Sequence, residues 1–260
     1  MLEIKNLSVR VDMKNILKDI NLDFEKGKTY FLLGRNGSGK SSLALTIMGH
    51  PKYKVISGSI TADGKDILSR KSDEISKAGI FLSFQNIPEI PGIRLFEFLR
   101  TIYNEYRRSI DAEFKNASIF LFKKKIIPYL NELDIPEEFL ERDLNVGFSG
   151  GEKRKIELLQ IKLLEPKYII LDEIDSGLDI DAFKTVALEL KKLKNPDNTM
   201  IFITHNFKLL EILDVDFAYV LSDGEVIDSG GIELIRKIEK HGFCAYCNLD
   251  ESCNKELKCE

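Results

Sequence analysis

The chain has 260 residues, 43% hydrophobic and 31% charged, with a formal net charge of −4. That length allows one large domain with an inserted lobe, or two small ones, and the acidic balance argues against a dedicated nucleic-acid binder, whose footprint is usually basic. No run of about 18 apolar residues occurs, so direct membrane insertion is not expected, and the start "MLEIKNLSVRV" lacks the basic and apolar regions of a signal peptide; the chain reads as soluble and cytoplasmic.

In chain order, residues 2–11 and 16–24 alternate apolar and polar side chains as half-buried strands do, with Ile16, Ile20, Leu22 and Phe24 expected on one face. "GKTYFLLG" is a short buried strand that ends at Gly34, followed by a glycine-rich turn and a helix to about Met48. "GSI" at 58–60 and "GIFLSFQ" at 79–85 suggest further strands. From Phe96 to about Leu144 the period is helical, punctuated by Pro128 and Pro136, and reads as a helical insertion; its "FKKKI" cluster reads as a solvated helix face. "YIIL" (168–171), "TMIFIT" (199–204) and "FAYVL" (217–221) are apolar strands separated by helical stretches, the pattern of a parallel α/β sheet. "SDGE" (222–225) carries an Asp-Gly turn between apolar runs and predicts a terminal hairpin.

"GRNGSGKSS" (34–42) has the spacing G-x-x-x-x-G-K-[ST] between a strand and a helix. Gly34, Asn36, Gly37 and Gly39 let backbone N–H groups turn in around phosphate oxygens, and the helix start at Ser41 and Ser42 adds positive potential. Lys40 supplies a point charge for β- and γ-phosphates, and the Ser41 hydroxyl can ligate Mg²⁺. This cradle explains "YIILDEIDSGLDIDA" (168–182), in which an apolar strand ends on two adjacent carboxylates. Such a pair is costly in a low dielectric unless a cation offsets it. Asp172 is then the carboxylate that holds Mg²⁺ through water, and Glu173 orients and deprotonates the attacking water.

"FSGGEKRKIELLQIKLLEP" (148–166) opens with a Ser-Gly-Gly turn and continues as a helix with an apolar stripe of Ile156, Leu159, Leu163 and Leu164. A helix start capped by Ser149 with Gly151 beside it is a second anion site. One P-loop already serves its own nucleotide, so the second site implies a head-to-tail pair of chains.

"FSGGE" resembles the signature of ATP-binding cassette (ABC) ATPases, and the other cassette elements fall in order: Gln85 as Q-loop, "SGLD" (176–179) as D-loop, and His205 after "IFIT" as the switch histidine. The resemblance implies the α/β ABC-ATPase fold, a RecA-like P-loop core with an antiparallel β subdomain and an α-helical subdomain. It also implies ATP as nucleotide, Gln85 sensing Mg²⁺ and the water, His205 on the γ-phosphate, and Asp179 at the dimer seam. Within the family, "GHPKY" (49–53), "SFQNIPEIPGI" (83–93), "IPEEFLERDLNVGFSGGEKRK" (135–155) and "DEIDSGLDIDA" (172–182) are similar to the SufC group, ATPase subunits of the SUF iron–sulfur cluster assembly system. That likeness implies an ATP-dependent homodimer and a scaffold partner of SufB or SufD type, docked in part around "PEIPGIRLFEF" (88–98). It places the cassette at residues 1–243, with the helical subdomain at about 94–165, and a tail at 244–260.

Two features depart from the family. Residues 1–23 contain no Phe, Tyr, Trp or His, so adenine would rest on aliphatics such as Val11. All four cysteines, Cys244, Cys247, Cys253 and Cys259, fall in the tail. Four thiolates can hold Zn²⁺ or an iron–sulfur cluster; a reduced, redox-sensitive tail fits the same spacing. The alternative functional readings are the nucleotide-binding subunit of an ABC membrane transporter, which would share all the ATP chemistry, and a metal-sensing switch, which would not need Glu173 as a base. Without a long heptad stretch between the two phosphate-site motifs, a chromosome-maintenance ATPase is excluded.

Overall fold

The computed structural model describes residues 1–204 and 207–243. The first strands are β1 (Leu2–Val11) and β2 (Lys14–Phe24), then β3 (Thr29–Leu33), which runs into helix α1 (Lys40–Ile47). Strands β4 (Lys54–Ala62) and β5 (Lys65–Asp66) precede helix α2 (Ser72–Lys77), β6 (Ile80–Ser83) and β7 (Ile90–Arg94). Helices α3 (Leu95–Ile110) and α4 (Ile119–Glu132) lead to β8 (Asp143–Leu144) and α5 (Gly150–Leu164). The chain then alternates: β9 (Tyr168–Asp172), α6 (Ile180–Leu193), β10 (Thr199–Ile203), β11 (Phe217–Ser222), β12 (Glu225–Gly230) and α7 (Ile232–His241).

Six strands form one sheet in the order β12-β11-β3-β10-β9-β6. Every neighbour pair is parallel except the β11–β12 hairpin. Strands β3, β9 and β10 are buried along their whole length, as continuous apolar runs in a two-sided sheet must be. Alternate residues feed two cores. Phe31, Leu33, Ile169, Leu171, Met200 and Phe202 face the helical side, while Tyr30, Leu32, Tyr168, Ile170, Ile201 and Ile203 face a second sheet ordered β2-β1-β4-β5. The expected hairpin is the β11–β12 pair, with Asp223 (φ 49°) and Gly224 (φ 81°) both left-handed, as a tight primed turn requires.

Everything between β6 and β9 leaves the six-stranded sheet, and its helices pack on one core through Leu99, Phe122, Ile126, Leu130 and Ile156, all fully buried. Truncating a residue such as Phe122 to Ala costs about 3–5 kcal/mol in this setting.

Two sequence readings need correction. In β2 the buried residues are Leu17, Ile20, Leu22 and Phe24, and Ile16 is only half-buried. Asp19 takes a left-handed φ of 49° and the β1–β2 register shifts between Leu7 and Val9, so a bulge moves Leu17 onto the core face. Pro128 does not interrupt the helical stretch but lies inside α4. The hydrogen bond it removes is to the carbonyl four residues back, in the solvent-exposed stretch of Lys123 and Lys124, where water can replace it.

Candidate nucleotide site

Because β3, β6, β9 and β10 run parallel, their carboxyl ends lie along one edge, where ligands of open α/β sheets bind. The P-loop follows β3, Gln85 follows β6, Asp172 ends β9 and Thr204 follows β10. One edge therefore gathers motifs that lie up to 170 residues apart in sequence.

Two P-loop glycines are obligatory on steric grounds. A Cβ on Gly34 would sit 2.3 Å from the Leu221 carbonyl oxygen, and one on Gly39 would sit 2.8 Å from Leu17 Cδ2, with φ at 107°. Gly39 starts α1 with no side-chain cap and no acidic residue in the first turn, so the first N–H groups of that helix keep their capacity for an anion. Asn36 and Gly37 are exposed at the rim, and Ser42 is half-buried at the helix start.

Lys40 is only 7% exposed. Its ammonium curls back over its own loop and donates to the carbonyls of Gly34 (2.8 Å) and Arg35 (2.9 Å). Burial pulls its pKa below the ordinary lysine value, while Glu173 and Asp172 pull it up. Across the site, Ser41 Oγ donates to Asp172 Oδ1 at 3.1 Å. Burial pushes the Asp172 carboxyl above the usual range; the Ser41 hydrogen bond opposes this and neighbouring Glu173 reinforces it. A hydroxyl and a buried carboxylate side by side form the hard-oxygen pair that Mg²⁺ takes, usually with phosphate oxygens and water completing its shell. Among the described residues no group of three or more His, Cys, Asp or Glu could hold a metal ion.

Gln85 Nε2 donates to Glu173 Oε2 at 2.5 Å, so the Gln85–Glu173 and Ser41–Asp172 pairs lie side by side through the adjacent carboxylates, and Lys40 directly precedes Ser41. Glu173 has φ 48°, an uncommon conformation for a non-glycine residue. Its amide donates to the Ile203 carbonyl at 2.8 Å, which ties this turn to the end of β10. There, Thr204 Oγ1 donates to Asp175 Oδ1 at 3.0 Å. His205 lies outside the described residues, as do Cys244, Cys247, Cys253 and Cys259.

The signature turn is not part of this cluster. Ser149 caps α5, accepts from the Glu152 amide at 3.3 Å, and donates its own amide to the Glu152 carboxylate at 2.7 Å. That backbone hydrogen bond, helped by the serine hydroxyl, holds the Glu152 carboxyl below its usual value. Gly150 abuts the D-loop and Gly151 the start of α6 of the same chain: a Cβ on each would lie 3.2 Å from the Gly177 carbonyl oxygen and 3.3 Å from Ala182 Cβ, respectively. Asp179 caps α6 by accepting from the Ala182 amide at 2.8 Å. Two cavities, of about 840 and 510 Å³, lie elsewhere, around Tyr106 and Lys167 and around Tyr129 and Lys192.

A buried cluster absent from the sequence reading joins the two halves. Arg154, 2% exposed on α5, donates to Ser83 Oγ (3.0 Å), the Phe84 carbonyl (2.8 Å), Glu157 (2.7 Å), the Gln85 carbonyl (3.2 Å) and the Glu173 carbonyl (3.1 Å). Ser83 also donates to Glu157 at 2.8 Å. Burial raises the Glu157 carboxyl, and Arg154 opposes that rise. One guanidinium thus fixes the backbone on both sides of the Gln85–Glu173 hydrogen bond. The only hint in the sequence is an i,i+3 Arg-Glu pair, which on most helices marks a solvated face.

Comparison with known proteins decides the family. The profile of the family described as "ABC transporter" matches residues 17–176. The chain is an ATP-binding cassette ATPase. This ABC ATPase is 45% identical over 94% of its length to a "probable ATP-dependent transporter" of Synechocystis, which is matched over 94% of its own length. It is 43% identical to "Vegetative protein 296" of Bacillus subtilis, covering 93% of this chain and 91% of that one. The resemblance to the SufC group holds as well: "Iron-sulfur cluster assembly protein SufC" of Plasmodium falciparum is 41% identical over 95% of this chain and 71% of its own. The fold matches a nucleotide-free ATP-binding cassette with a TM-score of 0.76 at 22% identity, over 95% of this chain and 99% of that one. A dimeric cassette bound to ADP and Pi matches at 0.74 and 23% identity, over 89% and 99%.

Proposed function

We propose that this ATPase serves iron–sulfur cluster assembly in the cytoplasm, closing as a head-to-tail homodimer on ATP and thereby reshaping a scaffold of SufB or SufD type. The observation that carries the dimer is the separation just described. Two hydrogen-bonded pairs, Ser41–Asp172 and Gln85–Glu173, meet at the adjacent residues Asp172 and Glu173, with Lys40 preceding Ser41 on the loop that it caps, whereas Ser149 and Gly151 sit at a helix start whose contacts are with Glu152, the D-loop and the start of α6. Each complete site then takes Lys40, Ser41, Gln85, Asp172, Glu173 and His205 from one chain and Ser149 and Gly151 from the other. The cluster-assembly role is supported by the identity with the relative named SufC and by "DEIDSGLDIDA" after β9.

In this reading Lys40 leaves the carbonyls of Gly34 and Arg35 for the β- and γ-phosphate oxygens, and the α1 N–H groups hold the phosphates between. A magnesium ion on Ser41 Oγ and Asp172 would offset the charge of the triphosphate. Glu173 takes the proton of the attacking water, Gln85 orients that water, and His205 contacts the γ-phosphate. Asp179 lies at the seam, and adenine rests on aliphatics such as Val11. Residues 1–243 act as the cassette, with the lobe at about 94–165 and the segment 88–98 offered to the scaffold.

Replacing Glu173 by Gln should lower hydrolysis about a hundredfold or more and trap an ATP-bound dimer on size exclusion; unchanged hydrolysis removes Glu173 from its role. The names of several relatives favour a second reading, the nucleotide-binding subunit of a transporter. Binding of the Glu173→Gln dimer to a purified soluble scaffold, and not to a permease, separates the two. For the tail, anaerobic purification with metal analysis of the full chain and of a chain ended after Gly242 is decisive. Metal lost on truncation would assign the cysteines to Zn²⁺ or a cluster, and equal content would leave them as free thiols.

A further inference from the structure

The far end of the α3–α4 hairpin carries an apolar knob that neither the nucleotide site nor the core uses. Ile119, Phe120 and Leu121, the first three residues of α4, are 59%, 76% and 59% exposed. The knob is held in place. Its connecting loop is pinned by the Ala117 amide donating to the buried Asn104 side chain at 2.8 Å, by Phe114 edge-on to Tyr103 at 5.9 Å, and by Arg107 over the Phe114 ring at 5.8 Å. Phe122, the next residue, is fully buried and anchors the helix. Three successive exposed apolar residues on an ordered helix end mark a candidate contact site.

Its shape and charge narrow the partner. Successive helical residues point about 100° apart, so Ile119, Phe120 and Leu121 surround much of the helix end. That makes a convex tip, unlike the i, i+3, i+4 stripe that lies in a protein groove. Immediately behind it stand Lys115, Lys123, Lys124 and Lys125, all exposed, against two acidic residues in the loop, Asp111 and Glu113. Lys123 is paired with Glu137 at 3.5 Å, and Lys125 lies 5.4 Å from the Tyr103 ring; Lys115 and Lys124 point to solvent. The first turn of α4 has no acidic side chain, so the positive end of the helix is not offset. An apolar tip with cations one layer behind it matches the layering of a bilayer with anionic headgroups, and this basic patch sits on a chain whose net charge is −4.

We propose that the start of α4 is a peripheral contact for an anionic lipid surface: Phe120 and Leu121, preceded by Ile119, enter the interface, while Lys115, Lys123 and Lys124 meet the phosphates. This is independent of the proposed scaffold role. The test is flotation of the full, reduced chain with phosphatidylcholine vesicles made with or without phosphatidylglycerol. The expected result is binding to the phosphatidylglycerol vesicles only, weakened about tenfold or more by Phe120→Ser with Leu121→Ser, and weakened by Lys123→Glu with Lys124→Glu or by high salt. ATP hydrolysis and thermal stability should stay unchanged in both variants. Failure of the wild type to float with anionic vesicles, or flotation untouched by the serine substitutions, overturns the proposal. If vesicles fail and a purified scaffold protein instead loses affinity for the serine variant, the tip is a protein-docking knob and the lipid assignment falls.

Discussion

The P-loop and the signature turn are both glycine-bearing turns that open onto helix N-termini, yet they satisfy those termini in opposite ways. At α1 no side chain caps the helix, and the nearby cation is spent on the loop's own carbonyls. At α5 a complete capping box, Ser149 with Glu152, occupies two of the N–H groups, those of Ser149 and Glu152 themselves. The first turn is prepared for an anion. The second is satisfied in part by its own side chains, and an incoming phosphate meets the Glu152 carboxylate at that helix end. Such a difference suits a site whose first half binds nucleotide alone and whose second half engages only when a partner brings the phosphate to it.

The largest effect that probes this contrast is expected from Lys40→Ala. Removing the only buried cation of the P-loop should cut hydrolysis about a thousandfold, whereas the fold, in which the Lys40 hydrogen bonds stay within its own loop, should melt within a few degrees of wild type by calorimetry.

Arg154→Met comes next and tests whether the two turns communicate. It leaves Glu157 as an uncompensated buried carboxylate, a cost of about 3–5 kcal/mol, seen as a melting temperature lower by roughly 10 °C. Arg154→Met with Glu157→Met should regain most of the stability but not the turnover number, because the carbonyls of Gln85 and Glu173 lose their common donor. Equal recovery of both would reduce the cluster to packing.

A smaller effect, of opposite sign, is expected at Asp172. Its folded pKa is raised by burial, so in nucleotide-free protein it contributes stability below the unfolded carboxylate value of about 3.9 that is lost as pH rises through the folded value. Asp172→Asn should therefore melt higher than wild type at neutral pH, with the gap closing on acidification, while nucleotide-dependent Mg²⁺ binding is lost. A lower melting temperature at pH 7 would contradict the assigned burial cost.

The smallest effect is at Glu152. Glu152→Gln keeps a side chain that can reach the Ser149 amide but removes the charge from the helix start, so the KM for ATP should fall about two- to fivefold with little change in turnover number. An unchanged KM would mean that this turn never meets the phosphate.

What could be read before the structure follows from where each feature's determinants lie. The P-loop and the strand ending in Asp172 were legible because their chemistry needs particular residue types at fixed spacing within one segment, flanked by fully buried apolar strands. The parallel sheet was legible because β3, β9 and β10 are continuous apolar runs. The Arg154 cluster was not, since its partners Ser83 and Glu173 lie 71 and 19 residues away and a charged pair on a helix ordinarily signals solvent. The face of β2 was misjudged at Ile16 because a bulge at Asp19 leaves no mark in alternation. Pro128 misled because a proline near the end of a helix removes a bond that water can replace. The knob at Ile119, Phe120 and Leu121 was hidden behind the "FKKKI" lysines, which by themselves read as an ordinary solvated face.

The central claim, that one chain supplies only half of each hydrolytic site, is tested most directly by specific ATPase activity over a hundredfold range of enzyme concentration, with the association state followed by sedimentation. Activity per chain should climb with concentration in step with the dimer fraction and vanish in Gly151→Asp. A constant activity on a chain that sediments as a monomer throughout, unaffected by that substitution, would contradict it.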